Sequence, residues 1–147
     1  GFVSYKIIDR DGKVIEEVIN APNTIVNGGR DAMAKLLASY AAGSTPDAIK
    51  SIVFGNQPSP TANPAATALQ SQVWENDVLT GVGNVSYVSP GVVVLKWFLD
   101  YDEANGYDIS EMGLKTQTGI LFSRIIRNVP ISKTSDYSIS GYWTITA

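Results

Sequence analysis

The last strand-forming segment of the chain, Tyr137–Thr146, alternates strictly between two kinds of residue. Every even-numbered position carries a hydroxyl group, whereas the odd-numbered positions carry apolar or aromatic side chains or glycine. Successive side chains of a β-strand point to opposite faces, so a period of two is typical of a strand with one face on a core and the other toward solvent. A mainly β fold is therefore the first expectation for this sequence.

Other segments rich in β-branched and aromatic residues precede this one. The strongest is Val92–Leu99, whose apolar run predicts a strand near the core that is covered on both faces. Ile49–Phe54, Ser110–Thr116 and Leu121–Val129 predict further strands, and the later ones are separated by short turns. Together these segments predict a mainly β (α+β) fold, an antiparallel β-sandwich or barrel with one packed α-helix.

The predicted helix lies near residues 29–41. Met33, Leu36, Leu37 and Tyr40 recur there at helical spacing, so we expect the helix to pack on the sheets through these side chains. Residues 65–73 contain Ala, Leu and Gln, which favour helix, and predict a second, short helix.

The N-terminal residues have a pattern of their own. Two β-prone segments flank Asp11-Gly12, a dipeptide that suits the positive φ angles of tight turns, so residues 1–19 predict a β-hairpin. We expect this N-terminal β-hairpin to be an arm on a β domain of residues 20–147. A chain of 147 residues can bury a sufficient core as a single domain, residues 1–147.

The sequence has neither histidine nor cysteine, which excludes Ser-His-Asp and Cys-His catalysis, thiolate metal sites and disulfide bonds. We therefore expect no enzymatic activity and no cofactor; an enzyme that uses only carboxylates and tyrosines is the alternative. The formal net charge is -3 and the basic residues are scattered, so no nucleic acid is expected as a partner. No apolar run approaches the roughly 20 residues that span a bilayer, so no membrane contact is expected.

The densest group of acidic residues follows the strongest predicted strand. Asp100, Asp102, Asn105 and Asp108 could offer several oxygens to a hard cation such as Ca²⁺. Their spacing does not match the EF-hand loop, and Asp, Asn and Gly are also the residues that turns prefer. We favour a structural turn without metal, and a metal site at these four residues is the weaker alternative.

Two further groups of residues have both a structural and a functional interpretation. Residues 27–30, Asn-Gly-Gly-Arg, could hold an anion at the start of the helix, but they lack the pattern of a P-loop or a dinucleotide motif, so tight packing of the glycines is favoured. Trp74, Trp97, Trp143 and the seven tyrosines could form a sugar-stacking surface. Trp97 and Trp143 lie in β-patterned segments, however, and are expected in the core.

Four segments stand in a recognisable order along residues 20–147. They are Asn23–Arg30 before the helix; Ile49–Asn56 with Thr67-Ala68-Leu69; Ile109–Leu114 with Thr118–Arg124; and Ile131–Thr134 before the last strand. This order resembles structural proteins of tailed bacteriophages, in particular their tail-collar or tail-fibre attachment domains. The most distinctive element, Glu111-Met112-Gly113-Leu114, is similar to the E-(I/L/M)-G-L strand of that family.

The resemblance implies a bacteriophage structural protein of the virion, assembled in the host cytoplasm, at the tail, baseplate or fibre attachment point. It implies two kinds of partner, namely further copies of the chain in a homo-oligomer and other virion structural proteins. A capsid decoration or neck protein is the alternative within this class. A carbohydrate- or receptor-binding β-sandwich is the alternative from another class, and it would need exposed Trp or Tyr beside loops rich in Asp and Asn.

The hairpin of residues 1–19 lies outside the resemblance, so its role is argued from physical chemistry. An exposed hairpin presents unpaired N–H and C=O groups, which pairing with the sheet of a neighbouring subunit would satisfy. We therefore expect its apolar residues to form the subunit interface. These interface candidates are Phe2, Val3, Tyr5, Ile7 and Val14.

Overall fold

The computed structural model describes residues 1–42, 47–79 and 83–146, except the side chains of residues 39–42 and 86–88. This part of the chain forms one helix, α1 (Asn27–Ala42), and ten strands. The strands are β1 (Phe2–Asp9), β2 (Val14–Pro22), β3 (Thr24–Ile25), β4 (Ile49–Gly55), β5 (Gln72–Asp77), β6 (Val85–Ser89), β7 (Val92–Leu99), β8 (Asp108–Thr116), β9 (Leu121–Ser132) and β10 (Tyr137–Thr146).

The ten strands form two five-stranded sheets that pack face to face. The first sheet has the order β2-β1-β10-β7-β6, and the second has the order β3-β9-β8-β4-β5. Paired strands are antiparallel, and the described residues show no pairing between the two sheets. The predicted mainly β fold with one helix is thus confirmed, and of the two expected architectures the chain adopts the sandwich.

The core lies between the inner faces of the sheets. In β10, Ile139 and Trp143 are fully buried, as the alternation of this segment predicts. The ring of Trp97 in neighbouring β7 lies against Phe54 of the second sheet, with 5.8 Å between centroids. Burying one large apolar side chain stabilises a fold by about 1.5–3 kcal/mol, so this inter-sheet layer is the main source of stability.

Strand β7 is covered on one face rather than two. Leu95, Trp97 and Leu99 are buried, whereas Val94 and Phe98 on the opposite face are only half-buried. The expectation that both faces are covered was therefore wrong. The physical reason is that α1 packs on β9 of the second sheet and leaves the outer face of β7 partly in solvent.

The predicted N-terminal hairpin is present, but it is not an arm. Strands β1 and β2 pair with each other, and Gly12 in the turn has the expected positive φ of 80°. Strand β1 also pairs with β10 along its whole length, from Phe2 opposite Thr144 to Asp9 opposite Tyr137. The hairpin is therefore part of the first sheet, and the expectation of an arm separate from residues 20–147 is corrected.

Helix α1 extends slightly beyond the predicted range of 29–41 at both ends. Ala32 is buried, and Met33 and Leu36 line an apolar cleft together with residues of both sheets. Leu37 is 91% exposed, so the expectation that it packs on the sheets was wrong, because Leu36 rather than Leu37 faces the sandwich. The side chain of Tyr40 lies outside the described residues.

Candidate assembly surface

The two lateral sides of the sandwich differ. On one side, the chain that leaves β5 hydrogen-bonds to both sheets: the Val78 N–H donates to the Lys50 carbonyl (2.8 Å) and the Leu79 N–H to the Lys96 carbonyl (3.0 Å). On the other side, β2 of the first sheet faces residues 126–132 of β9 in the second, and side chains fill the space between them. We call this second side, formed by β2 and residues 126–132, the open side.

Apolar side chains are exposed on β2 and on the part of β9 beside it. Val14 and Ile15 of β2 are nearly half exposed, and Val129 of β9 is 73% exposed. Ile19 of β2 is 68% exposed and lines a separate cleft with Tyr142 on the outer face of the first sheet. Ile15 and Val129 line one shallow cleft of about 530 Å³. Within the described residues no strand pairs with the outer side of β2, and an unpaired edge with several exposed apolar residues is typical of an interaction surface.

Arg127 links the two sheets across the open side. Its guanidinium donates hydrogen bonds to the Tyr5 hydroxyl, to the Glu16 carboxylate (3.2 Å) and to the Val129 carbonyl (2.9 Å). Burial raises the pKa of the Tyr5 hydroxyl above its ordinary value, although Arg127 opposes that shift. The hydrogen bonds of Arg127 to Tyr5 and Glu16 therefore connect the two sheets at the open side. Exposed apolar side chains flank this contact.

Three of the five predicted interface residues are not available to a partner. Val3, Tyr5 and Ile7 are buried in the core of their own chain, because β1 lies between β2 and β10 and turns these side chains inward. Their assignment to a subunit interface is corrected. Phe2 and Val14 do lie at the surface, Val14 on the open side, and their role at an interface stays a prediction.

The sequence contains a signal for the exposed residues that pattern reading missed. Val14 and Ile15 are adjacent, as are Val18 and Ile19. Neighbouring residues of a strand point to opposite faces, so two adjacent apolar residues cannot both face the core of a two-layer sandwich. One residue of each pair must therefore face outward, and Ile19 is the most exposed of these four.

The four candidate metal ligands lie around a turn that contains a lysine ammonium group. Asn105 Oδ1 accepts a hydrogen bond from Lys133 Nζ (2.9 Å), and Asp108 accepts one from the Ser132 hydroxyl (3.0 Å). Asp100 accepts a hydrogen bond from a backbone N–H of its own turn, and Asp102 is exposed to solvent. Within the described residues no three His, Cys, Asp or Glu side chains come close enough to hold a metal ion.

Lys133 supplies the positive charge of this turn. It is almost fully buried, and its ammonium also donates to the carbonyls of Tyr101 (3.4 Å) and Thr134 (3.0 Å), so three acceptors match its three donors. Burial lowers the pKa of Lys133 below its ordinary value, against the opposing effect of nearby carboxylates such as Glu103. The Lys133 ammonium is thus the cation that hydrogen-bonds the oxygens of this turn.

The motif glutamate, Glu111, forms a buried ion pair that pattern reading also missed. Its Oε2 lies 2.6 Å from Nη2 of Arg124 and accepts from Nε as well (3.0 Å), and both side chains are almost fully buried. Glu111 Oε1 accepts from the Ser71 N–H (2.9 Å), while Arg124 also donates to the Thr61 carbonyl and the Gln70 side chain. The pair therefore fixes the proline-rich loop against the second sheet.

This attachment also explains why residues 65–73 do not form the expected short helix. Ser71 uses its N–H on Glu111 and its carbonyl on the Asn56 N–H (3.0 Å), so its backbone groups are engaged with the sheet. Gly55 lies opposite Glu111 in the register of β4 and β8, and a side chain at Gly55 would overlap the glutamate. The helix prediction was wrong because contacts distant in sequence outweigh local propensity.

The tryptophans do not form a sugar-stacking surface. Trp97 and Trp143 are buried in the core, as predicted. Trp74 is half-buried against the same core, and its indole N–H donates to Asn76 Oδ1 (3.0 Å).

The glycines before the helix serve packing, as favoured from the sequence. A side chain at Gly29 would overlap the Phe122 carbonyl of β9, and one at Gly28 would press on Ile120. The N–H groups of Gly29 and Arg30 both donate to the Val26 carbonyl (3.0 and 3.1 Å), so they are not directed at an anion.

A second apolar region lies at the end of the sandwich under α1. It is a cleft of about 370 Å³ whose lining is almost entirely apolar and comes from the helix and both sheets. Val85 of edge strand β6 lies at this cleft and is 46% exposed. Residues of the lining include Met33, Leu36, Val85, Leu95, Phe122 and Ile145.

Comparison of the chain with protein-family models, with curated proteins and with solved structures finds no match. No helix in the described part of the chain has the length and hydropathy that crossing a membrane requires.

Proposed function

We propose that this chain is a non-enzymatic structural protein of a tailed-bacteriophage virion, placed at the tail, baseplate or fibre attachment point. It acts by binding further copies of itself and other virion proteins. The virion assignment is supported by the order of motifs in residues 20–147, and the mode of action by the surface of the sandwich.

The observation that carries the proposal is edge strand β2, whose outer side pairs with no other strand in the described part of the chain. Exposed edges pair with other chains unless charges, prolines, bulges or a covering segment prevent it. Although β2 contains Glu16 and Glu17, it also exposes Val14, Ile15 and Ile19, and Val129 lines one cleft with Ile15. Covering the exposed half of such a side chain is worth about 1 kcal/mol, so these four residues together offer several kcal/mol toward association.

The buried polar groups support an assembly role rather than catalysis. Glu111 and Arg124 neutralise each other and anchor a loop, and Lys133 is bound to three acceptors of its own turn. Each group thus has a structural task in the fold.

Light scattering of the purified chain over a range of concentrations tests the mode of action. We expect a discrete oligomer for the wild type and a monomer for Ile19→Lys, since a lysine on the edge would have to lose its hydration in the interface. Leu37→Lys is the matched control, because it makes the same kind of change on α1 and should leave the oligomer intact. A wild type that stays monomeric at high concentration refutes the homo-oligomer.

The virion assignment needs a separate test. Tailed-phage particles that encode the chain are purified, and their proteins are identified by mass spectrometry. Peptides of this chain at a stoichiometric level support the proposal, and their absence from the particles contradicts it.

A further inference from the structure

A cleft of about 360 Å³ lies on the outer face of the first sheet, between Ile19 of β2 and Tyr142 of β10. Both side chains are exposed, Tyr142 to 48%. Ser4 lies opposite Tyr142 in the pairing of β1 with β10, and Ser140 lies opposite Lys6. The cleft therefore has two largely apolar walls with hydroxyl groups at its floor. Its volume falls in the range of roughly 300–1,000 Å³ that is typical of small-molecule sites.

The wall formed by Ile19 depends on a bulge in β2. The register of β1 and β2 shifts at Ser4, where two residues of β2, Ile19 and Asn20, lie opposite this single residue. Asn20 has a positive φ of 54°, which asparagine tolerates better than most residues. Its N–H donates to Ser4 Oγ (2.9 Å), and the same hydroxyl donates to Asn20 Oδ1 (3.3 Å). Bulges re-aim side chains, and this one leaves Ile19 on the outer face beside Tyr142.

The ring of Tyr142 has a cation against it. Lys96 lies opposite Tyr142 on β7, and its ammonium is 5.5 Å from the centre of the ring. The cleft itself is lined by residues of β1, β2 and β10, on the other side of Tyr142 from β7. A cation over an aromatic ring is a stabilising contact, so Lys96 favours a fixed position for a ring that is half exposed.

Lys6 and Glu17 supply a donor and an acceptor of opposite charge at the cleft. Their charged atoms are 3.9 Å apart and both side chains are about half exposed, so the pair contributes little to stability and can turn toward a ligand. The two charges cancel, which favours a neutral ligand that both donates and accepts hydrogen bonds. A purely apolar ligand would remove water from these groups without replacing its hydrogen bonds.

The face of the sheet offers side chains rather than backbone groups. Strand β1 is paired with β10 on one side and with β2 on the other, so a peptide strand could not add to it. A sugar ring fits the side chains of the cleft. Its C–H faces are apolar and can stack on the ring of a tyrosine, and its hydroxyl groups both donate and accept hydrogen bonds.

We propose that the cleft between Ile19 and Tyr142 binds a neutral carbohydrate. One sugar ring stacks on Tyr142 and contacts Ile19, and its hydroxyl groups hydrogen-bond to Lys6, Glu17 and Ser140. A strand that pairs with the β2 edge would extend the sheet in its own plane and leave this face exposed. The carbohydrate site is therefore independent of the proposed homo-oligomer.

An array of immobilised neutral and acidic oligosaccharides tests this site, followed by calorimetry with the oligosaccharide that binds most strongly. We expect the wild type to bind a neutral oligosaccharide, and Tyr142→Ala to bind it at least about tenfold more weakly, because the stacking ring is lost. Tyr142→Phe keeps the ring and should retain most of the affinity. Leu37→Ala removes another exposed side chain, on α1, and should bind as the wild type does.

The remaining outcomes contradict the proposal. A wild type that binds none of the oligosaccharides refutes it, and so does binding to acidic ones alone. Ile19→Ala, on the opposite wall of the cleft, provides an independent variant that should also bind more weakly. Unchanged binding in Tyr142→Ala or in Ile19→Ala would place the site elsewhere. Circular dichroism and light scattering of both variants should match the wild type, which separates a loss of binding from a loss of fold or of assembly.

Discussion

The buried Glu111–Arg124 pair should make a large contribution to stability that depends on both partners being present. Replacement by Arg124→Met removes the cation but leaves the Glu111 carboxylate almost fully buried, with only the Ser71 N–H as a remaining donor. Breaking a buried pair by removing one partner costs about 3–5 kcal/mol. For a chain of this size, 1 kcal/mol shifts the melting temperature by about 2–4 °C, so we expect a loss of roughly 6–20 °C.

Urea denaturation followed by tryptophan fluorescence measures this loss as a free energy of unfolding. Lys6→Met is the control, because it breaks the exposed pair of Lys6 with Glu17, whose charged atoms are 3.9 Å apart, and should cost under about 1 kcal/mol. The double variant Glu111→Leu with Arg124→Met leaves no uncompensated charge and should be more stable than the sum of the two single losses predicts.

The loop provides an independent measurement. Arg124 also donates to the Thr61 carbonyl and to Gln70, so its loss should free the proline-rich loop and accelerate proteolytic cleavage within residues 56–71. A free energy of unfolding for Arg124→Met within about 1 kcal/mol of the wild type would contradict a stabilising role of the pair. Simple addition of the two single losses in the double variant would contradict it as well.

Two further predictions concern other close contacts. Gly141→Ala should destabilise the fold by about 1–3 kcal/mol in the same urea assay, because the new methyl group would overlap the Trp97 ring; a smaller loss would show that the ring can move. Lys133→Met should lower the free energy of unfolding by about 1–3 kcal/mol, because the Tyr101 carbonyl and Asn105 lose their hydrogen-bond donor. Millimolar Ca²⁺ should not raise the melting temperature of the wild type. A clear rise would contradict the assignment of the Lys133 ammonium as the cation at this turn.

The candidate surface could be predicted only in part. The sequence directs attention to the N-terminal hairpin, and β2 of that hairpin does carry the exposed apolar residues. It does not tell which strand of the hairpin is the outer one, and so Val3, Tyr5 and Ile7 were assigned to an interface although they are core residues. That choice depends on β10 pairing with β1, a contact between the two ends of the chain.

The sequence by itself determined the features that follow from local patterns. These are the alternation of Tyr137–Thr146, the turn at Asp11-Gly12, the mainly β class with one helix, and the lack of histidine and cysteine chemistry. Each depends on residues close together in the chain, where backbone geometry alone sets the period of the pattern. Only the tertiary structure decided the order of the strands, the pairing of Glu111 with Arg124, and the contact of the Lys133 ammonium with Asn105. These depend on groups brought together from distant parts of the chain by the burial of the whole core, for which no local pattern exists.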